Sequence, residues 1–170
     1  MLLFSIGALA LLSLAVLAWR IVRRPPGQTP GGIARAAAGG AALHLFMGPP
    51  IGVLVLWLML SVAARSAEHL VTSILLIPWS YLVGGVPALL CGLVAGACTP
   101  AAVSWRSYCG TALLGGLYGT VFILGVAMRE GDWIALTFPL LAGGVPGLIA
   151  GAVCGRVLYG GRRAAAAATG

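Results

Sequence analysis

Long uncharged apolar runs, each bounded by charged residues, constrain this chain more than any other feature. Residues 1–19, 36–64, 107–128 and 133–155 contain no Asp, Glu, Lys or Arg. A helix needs about 20 such residues to cross a hydrocarbon core of about 30 Å. The chain is 61% apolar and 8% charged, whereas soluble domains carry roughly 25% charged residues. The sequence therefore predicts an all-α fold class, a polytopic membrane helix bundle.

The number of crossings follows from the distribution of arginines. Residues 69–105 are too many for one crossing helix and too few for two with a turn. Counting them as one crossing gives five transmembrane helices and places Arg65 and Arg129 on one side with all three acids. The other eight arginines share the opposite side: Arg20, Arg23, Arg24, Arg35, Arg106, Arg156, Arg162 and Arg163. The positive-inside rule then predicts a periplasmic N-terminus and a cytoplasmic C-terminus.

The composition also indicates the kind of organism from which the protein comes. All ten basic residues are Arg, which together with the Ala and Gly richness is typical of a GC-rich bacterial genome. We therefore predict the bacterial inner (plasma) membrane.

The basic residues Arg20, Arg23 and Arg24 follow the first apolar run, whereas a secretory signal carries them before it. The first run is predicted to be a retained anchor.

Two apolar segments of the chain resemble each other. Residues 84–96 and 143–155 match at eight of thirteen positions and share Gly-Gly-Val-Pro. Because the copies lie two crossings apart, we predict a parallel internal repeat of a two-helix hairpin. The predicted organisation is an N-terminal transmembrane anchor helix at 1–22, a cytoplasmic Pro/Gly linker at 23–40, a first hairpin repeat at 41–98, a second at 107–158 and a cytoplasmic basic, alanine-rich tail at 159–170. The second span is expected to be interrupted at residues 48–50, Gly-Pro-Pro.

The repeated Gly-Gly-Val-Pro is the strongest pointer to a site. Pro87 and Pro146 lack an N–H and free the carbonyls of Val83 and Ala142, and such interrupted helices in corresponding halves recur at transporter sites. The same residues also fit simple packing kinks, and both interpretations stay open. The candidate midplane site or kink comprises Gly84, Gly85, Pro87, Gly143, Gly144 and Pro146.

Two further groups of residues have predicted roles. Small residues at four-residue spacing let helix backbones approach closely, which predicts helix packing by Gly92, Gly96, Gly147, Gly151 and Gly155. A charge cluster on the predicted outer side is a candidate outer gate, although ordinary polar loops between spans give the same pattern. Its members are Arg65, Glu68, Arg129, Glu130 and Asp132.

Several classes of function are disfavoured by the sequence. No acid or base lies within the predicted spans apart from His44, which is expected to be hydrogen-bonded to a neighbour, so we predict no catalytic residues and no enzyme. The cysteines form no C-x-x-C pair, so neither a metal site nor a cofactor is predicted. The net charge is +7, but the basic residues are not interleaved with aromatic residues on a soluble unit. This disfavours nucleic acid as a partner and favours anionic lipid headgroups on the cytoplasmic side.

The expected partners are the lipid bilayer and either a second copy of the chain or another membrane protein. The leading hypothesis is an integral inner-membrane protein that acts as a small transporter-like or channel-like module, with a path between the two Gly-Gly-Val-Pro helices. The alternative is a structural or accessory subunit of a membrane complex, whose glycine faces serve assembly. A membrane-permeabilising lysis protein is a third hypothesis.

Overall fold

The described part of the chain is helical throughout its regular structure. The computed structural model describes residues 2–65, 68–100, 103–127 and 136–168, with the side chains of 68–74 and 161–168 left out. The elements are α1 (Leu2–Val22), α2 (Pro30–Ala64), α3 (Glu68–Ala97), α4 (Trp105–Ala127), the short α5 (Thr137–Pro139), a π-helical segment (Leu140–Gly144) and α6 (Val145–Ala168). No strand occurs within these ranges.

Five helices of the described chain are long and apolar enough to cross a membrane. They are α1, α2, residues Leu75–Ala97 of α3, α4 and the continuous helical stretch Thr137–Gly160. The prediction of an all-α fold with about five helices of transmembrane length and hydropathy is therefore confirmed. The parallel repeat remains a prediction, because similar spans do not by themselves establish a duplication.

The second helix begins earlier than its sequence suggested. Thr29 is its N-cap, and the Oγ1 atom of Thr29 accepts a hydrogen bond from the Gly32 N–H at 3.1 Å. Pro30 follows at the first helical position, where its missing N–H costs nothing. Residues 30–40 of the predicted linker are accordingly helical, and the connection after α1 is short. The predicted tail also differs, since α6 continues to Ala168.

The expected interruption at Gly48, Pro49 and Pro50 does not occur, because α2 runs through all three residues. Pro50 has no N–H for the carbonyl of Phe46, four residues earlier. The Tyr81 hydroxyl of α3 donates to that carbonyl at 2.9 Å. A neighbouring helix thus satisfies the backbone group that the proline leaves unpaired, which is how helices in lipid tolerate proline.

Helices α2 and α3 form a pair whose backbones are in contact. A Cβ atom at Gly92 would overlap the Gly40 carbonyl, and one at Gly96 would overlap the Ala36 carbonyl. In the other direction, a Cβ at Gly40 would lie 2.8 Å from the Gly96 Cα. No side chain larger than hydrogen fits at these positions without a shift of the backbone.

Helix α4 forms the same kind of pair with the π-helical segment and α6. A Cβ at Gly119 would overlap the Gly143 carbonyl, and one at Gly115 would overlap the Gly147 carbonyl. Nearer the end of the pair, Thr111 lies against two more glycines of α6, Gly151 and Gly155. Two glycine-lined pairs, α2 with α3 and α4 with α6, therefore make up the core of the bundle.

The first helix lies outside these pairs, against α3 and α4. Its buried Leu9 packs with Cys91, Tyr118 and Phe122. The Ser13 hydroxyl donates to the Leu9 carbonyl at 2.7 Å and lies 2.8 Å from the Tyr118 hydroxyl. Because the Ser13 O–H already donates to the Leu9 carbonyl, the Tyr118 O–H is the donor in the bond to Ser13 Oγ. This bond fixes α1 to the core.

One end of the bundle collects the arginines of the described helices. The Arg20 Nε donates to the Ala97 carbonyl at 3.3 Å, and Ile33 and Ala37, which flank Arg35, pack against Ala97. The Tyr108 and Tyr159 rings, 6.1 Å apart, join the start of α4 to α6. We call this the arginine end; it carries Arg20, Arg35, Arg106 and Arg156.

The backbone contact between α2 and α3 predicts a steric penalty that is specific to Gly92. We expect Gly92→Ala to lower the free energy of unfolding by about 1–3 kcal/mol, the usual cost of overpacking. Gly39→Ala is the matched control, because a Cβ there meets nothing within 4 Å; it should change stability by less than about 1 kcal/mol. Unfolding in detergent by dodecyl sulfate titration measures both, and equal stabilities of the two variants would contradict the contact.

The Tyr81 hydroxyl contacts the Phe46 carbonyl that Pro50 leaves unpaired, so the effects of substitutions at Tyr81 and Pro50 should depend on each other. We expect Tyr81→Phe to cost about 1 kcal/mol of stability, the net contribution of one hydrogen bond. In a Pro50→Ala background the restored backbone N–H at that position bonds to the Phe46 carbonyl, so the same change should cost much less. A double-mutant cycle by the same titration checks this, and additive effects would show that Tyr81 does not serve the carbonyl.

Candidate functional site

A cavity of about 380 Å³ lies between the two helix pairs. Residues from α2, α3, α4, the π-helical segment and α6 line it. Nearly half of the lining residues are Gly or Ala: Gly48, Gly52, Gly84, Ala88, Gly115, Gly119, Ala142, Gly143, Gly147, Ala150 and Gly151. The cavity exists because these side chains are too small to fill the space between the pairs.

Both Gly-Gly-Val-Pro segments reach this cavity. Gly84 and Pro87 line it from α3, and Gly143 and Pro146 line it from the opposite pair. Val83 and Ala142, whose carbonyls the prolines leave without their helical partner, are lining residues as well.

The second glycine of each motif has a different place. A Cβ at Gly85 would lie 3.4 Å from the Leu45 Cδ1, and one at Gly144 would lie 2.7 Å from the Thr120 Oγ1. Gly85 and Gly144 therefore pack against the other helix of their own pair.

The local backbone at the two segments is not the same. Helix α3 stays α-helical across Gly84 and Pro87. Before Pro146, by contrast, the Val145 N–H bonds to the Leu140 carbonyl across a π-helical turn. Such wide turns occur frequently at functional sites. The extra residue in this turn was not predictable, because a π turn has no composition that distinguishes it from an α turn.

The wall of the cavity contains few polar side chains, and most of those have partners. The Tyr118 hydroxyl is paired with Ser13, and the Ser80 hydroxyl donates to the Ile77 carbonyl at 2.7 Å. The Nδ1 atom of His44 lies 3.0 Å from the Gly40 carbonyl, but Nε2 of the same ring has no partner among the described residues. Within the described wall no side chain is Asp, Glu, Lys or Arg.

The cavity occupies the part of the bundle away from the arginine end. On α3 its lining runs from Leu76 to Cys91, roughly 22 Å at 1.5 Å per residue. Beyond Cys91 the two pairs are joined, since the buried Tyr159 hydroxyl of α6 donates to the Ala95 carbonyl of α3 at 3.2 Å. The pairs thus share a hydrogen bond at the arginine end, and the cavity lies between them on the other side of Cys91.

The other sequence-predicted residues divide into two groups. Of the packing glycines, Gly147 and Gly151 also line the cavity, whereas Gly92, Gly96 and Gly155 do not. Of the candidate outer gate, Arg65 ends α2 with a left-handed φ of 52° and Glu68 begins α3. The side chain of Glu68 and all of Arg129, Glu130 and Asp132 lie outside what the structure describes.

Sequence reasoning did not identify His44, Tyr118, Trp57 and Trp79 as members of a common wall. A signal existed only for His44, as an imidazole inside an apolar span. The aromatic residues carried no signal, because helical phase alone does not distinguish a lipid-facing aromatic residue from one that faces a neighbouring pair. The four cysteines are free, with Cys91 in the cavity wall and Cys154 buried.

Comparisons with known proteins add no assignment to this geometry. The chain matches no protein-family model, no curated protein and no solved structure.

Proposed function

We propose that this chain is an integral membrane protein that takes an uncharged, largely apolar molecule into the cavity between its two Gly-Gly-Val-Pro segments, as a small transporter-like or channel-like module. The observation that carries the proposal is the cavity itself, which has residues of both motifs in its wall. A purely structural pair of kinks does not require a shared void between them.

The chemistry of the wall supports an uncharged molecule. An ion that leaves water needs a charged partner or several polar groups, and the described wall offers no charged side chain. A mostly apolar lining favours an apolar guest. A volume of about 380 Å³ falls in the range of about 300–1,000 Å³ that is common for small-molecule sites.

The arrangement of the helix pairs supports movement of such a molecule. A hydrogen bond from Tyr159 joins the pairs at the arginine end, and the cavity lies between them away from that end. Transport by alternating access requires the pairs to rock about the site, so the proposed module closes at one end while it opens at the other. The hydrogen bond of Tyr159 to Ala95 is the contact that opening at the arginine end must break.

We propose that the two pairs arose by the duplication that the sequence suggests. In support, aligned glycines face the first helix of their own pair: Gly92 lies against Gly40 and Gly151 against Thr111. Gly84 likewise lies 3.7 Å from the Pro49 Cβ, and Gly143 against Gly119. The wide turn before Pro146 is then a later departure from the common plan.

The accessory-subunit alternative loses its main support from the sequence. That hypothesis assigned the glycine faces to assembly with a partner, whereas Gly92, Gly96, Gly147, Gly151 and Gly155 are all within reach of a neighbouring helix of the same chain. The alternative still has a direct test, since purification in mild detergent should then yield a stoichiometric partner.

We also propose the bacterial inner membrane, with the arginine end in the cytoplasm and the N-terminus in the periplasm. Arg20, Arg35, Arg106 and Arg156 lie at one end of the bundle, as the positive-inside rule requires of a cytoplasmic face.

The orientation predicts the side from which thiols react. Cys98 is exposed directly after α3 at the arginine end. In a variant with the other three cysteines changed to Ala, a membrane-impermeant maleimide should label Cys98 in inverted vesicles and not in intact spheroplasts. Arg65→Cys in a cysteine-free background is the control and should show the reverse, and labelling of Cys98 from outside would overturn the orientation.

The cavity predicts that a side chain placed in it abolishes binding. We use protein that keeps Trp57, a wall residue, as its only tryptophan, in lipid nanodiscs with dibromobenzene or dibromobenzyl alcohol as quencher. Quenching beyond the contribution of quencher dissolved in lipid should saturate. Gly52→Leu should remove the saturable part, because a Cβ at Gly52 meets nothing within 4 Å and this residue lines the cavity.

Gly39→Leu is the matched control, since Gly39 also has open space but lies outside the wall. It should leave the saturable quenching unchanged. If quenching by neither compound saturates in the protein that keeps Gly52, the proposed function is wrong and the accessory-subunit hypothesis becomes the leading one.

A further inference from the structure

One face of α3 is covered towards the arginine end and exposed towards the other end. Spacings of four and seven residues keep side chains on one side of a helix, and this face carries Trp79, Val83, Leu90 and Val94. Leu90 and Val94 pack in one apolar cluster with Leu9 of α1. Val83, by contrast, is 51% exposed and Trp79 is 63% exposed. The cover that α1 gives to this face of α3 therefore ends between Val83 and Leu90.

The first helix follows α4 rather than α3 in the exposed half. A Cβ at Gly125, near the end of α4, would overlap the Ser5 Oγ and would lie 3.5 Å from the Leu2 Cα. The start of α1 is thus held on α4, whereas α3 leaves Trp79 and Val83 exposed. In this half of the bundle α3 is uncovered on the face that α1 covers nearer the arginine end.

The uncovered residues belong to the cavity wall. Trp79 and Val83 are exposed, and the other residues of the described wall are buried or half-buried. A wall residue that is itself exposed marks the place where a cavity reaches the surface of the protein. The cavity therefore opens sideways along α3, at Trp79 and Val83.

This opening lies in the apolar part of the candidate membrane span. The span on α3 begins at Leu75, so Val83 is eight residues inside it, which corresponds to about 12 Å. Because the hydrocarbon core of a bilayer is about 30 Å thick, Val83 would lie near its middle. The medium outside the opening is then hydrocarbon. The lining of an unfilled void forfeits its contacts, so the hydrocarbon chains at the opening are the natural occupants.

The size of the cavity matches one such chain. A cavity of about 150 Å³ binds benzene, which has six carbon atoms, and the same volume per carbon gives about 15 carbon atoms in the present cavity of about 380 Å³. The lining on α3 runs for roughly 22 Å, which exceeds the roughly 15 Å that one leaflet contributes to the hydrocarbon core. The space therefore accommodates one acyl chain of ordinary length and excludes a second.

We infer that the cavity takes up one hydrocarbon chain of a membrane lipid, which enters sideways from the bilayer past Trp79 and Val83. This inference rests on the proposed function and specifies its substrate class and its route of entry. The polar head of the lipid stays outside, because the described wall has no charged side chain to receive it. The requirement for an uncharged occupant thus applies to the chain that enters.

The test places bromine on the lipid chains and measures their contact with Trp57, a wall residue. Phe replaces the other four tryptophans, so residue 79 stays aromatic. The protein is reconstituted in nanodiscs of phosphatidylcholine that carries bromine near the middle of its chains, and unbrominated nanodiscs give the reference intensity. Bromine quenches tryptophan on contact. We expect Val83→Phe to remove most of this quenching, because the larger side chain narrows the opening.

Val86→Phe is the matched control. Val86 lies on the same helix and is 43% exposed, but it does not line the cavity. This variant should keep the quenching of the unchanged protein. Because both valines are exposed, neither substitution disturbs the packed core. Gly52→Leu fills the cavity itself and should lower the quenching to the level of Val83→Phe.

The outcomes separate the inference from the proposed function. Equal quenching by brominated chains in Val83→Phe and in the unchanged protein overturns the inference, and so does quenching that Gly52→Leu leaves unchanged. If dibromobenzene still gives saturable quenching in unbrominated nanodiscs, the cavity-binding function stands and its substrate is a small solute. If neither dibromobenzene nor dibromobenzyl alcohol gives saturable quenching, the proposed function is wrong and the inference falls with it.

Discussion

Backbone contact at glycine is the interaction on which the rest of this structure depends. In lipid there is little hydrophobic drive between helices, so close packing has to hold them together. Gly40 with Gly92 and Gly119 with Gly143 bring carbonyls against the neighbouring backbone in each pair. Glycines of the second pair, Gly119 and Gly143 among them, also border the space between the pairs, where they supply no side chain to fill it. The cavity lies there, among these small residues and aromatic side chains such as Trp57 and Tyr118.

The prolines raise a second packing requirement, because every backbone N–H and carbonyl group in lipid has to find a hydrogen-bond partner. Pro50 leaves the Phe46 carbonyl without its helical N–H, and Tyr81 of the paired helix supplies a donor. Pro87 and Pro146 do the same to Val83 and Ala142, which lie at the cavity. The bond from Tyr81 to Phe46 is a structural contact, whereas the carbonyls of Val83 and Ala142 lie beside the candidate site. The two similar segments nevertheless differ in backbone, because α3 stays α-helical across Pro87 whereas a π-helical turn precedes Pro146.

The sequence was a good guide wherever composition alone decides the outcome. Charge positions predicted the five spans, since an Arg ends an apolar run in any packing arrangement. The glycine spacing identified positions that lie against neighbouring helices. The start of α2 was missed because residues 30–40 contain four glycines, a proline and Arg35, which fit a linker, and the Thr29 cap is the local signal for a helix. The partner of the Phe46 carbonyl, the Tyr81 hydroxyl, depends on how α2 lies against α3, and no single-helix pattern contains that relation.

The contacts also indicate where the bundle has freedom to move. A glycine crossing has no interlocking side chains, so its energy comes from many weak contacts, including those of Cα–H groups with carbonyls. The contact between the two pairs at the arginine end includes a directional hydrogen bond from Tyr159 to Ala95, as the first pair includes one from Tyr81 to Phe46. Under the proposed rocking motion each glycine crossing would stay within its pair, whereas the Tyr159 bond would have to break. His44 sits on α2 against Gly92, so it moves with its own pair, whereas Tyr118 and Pro146 belong to the opposite one. Under the proposed motion, residues on the two sides of the cavity would therefore change position relative to one another.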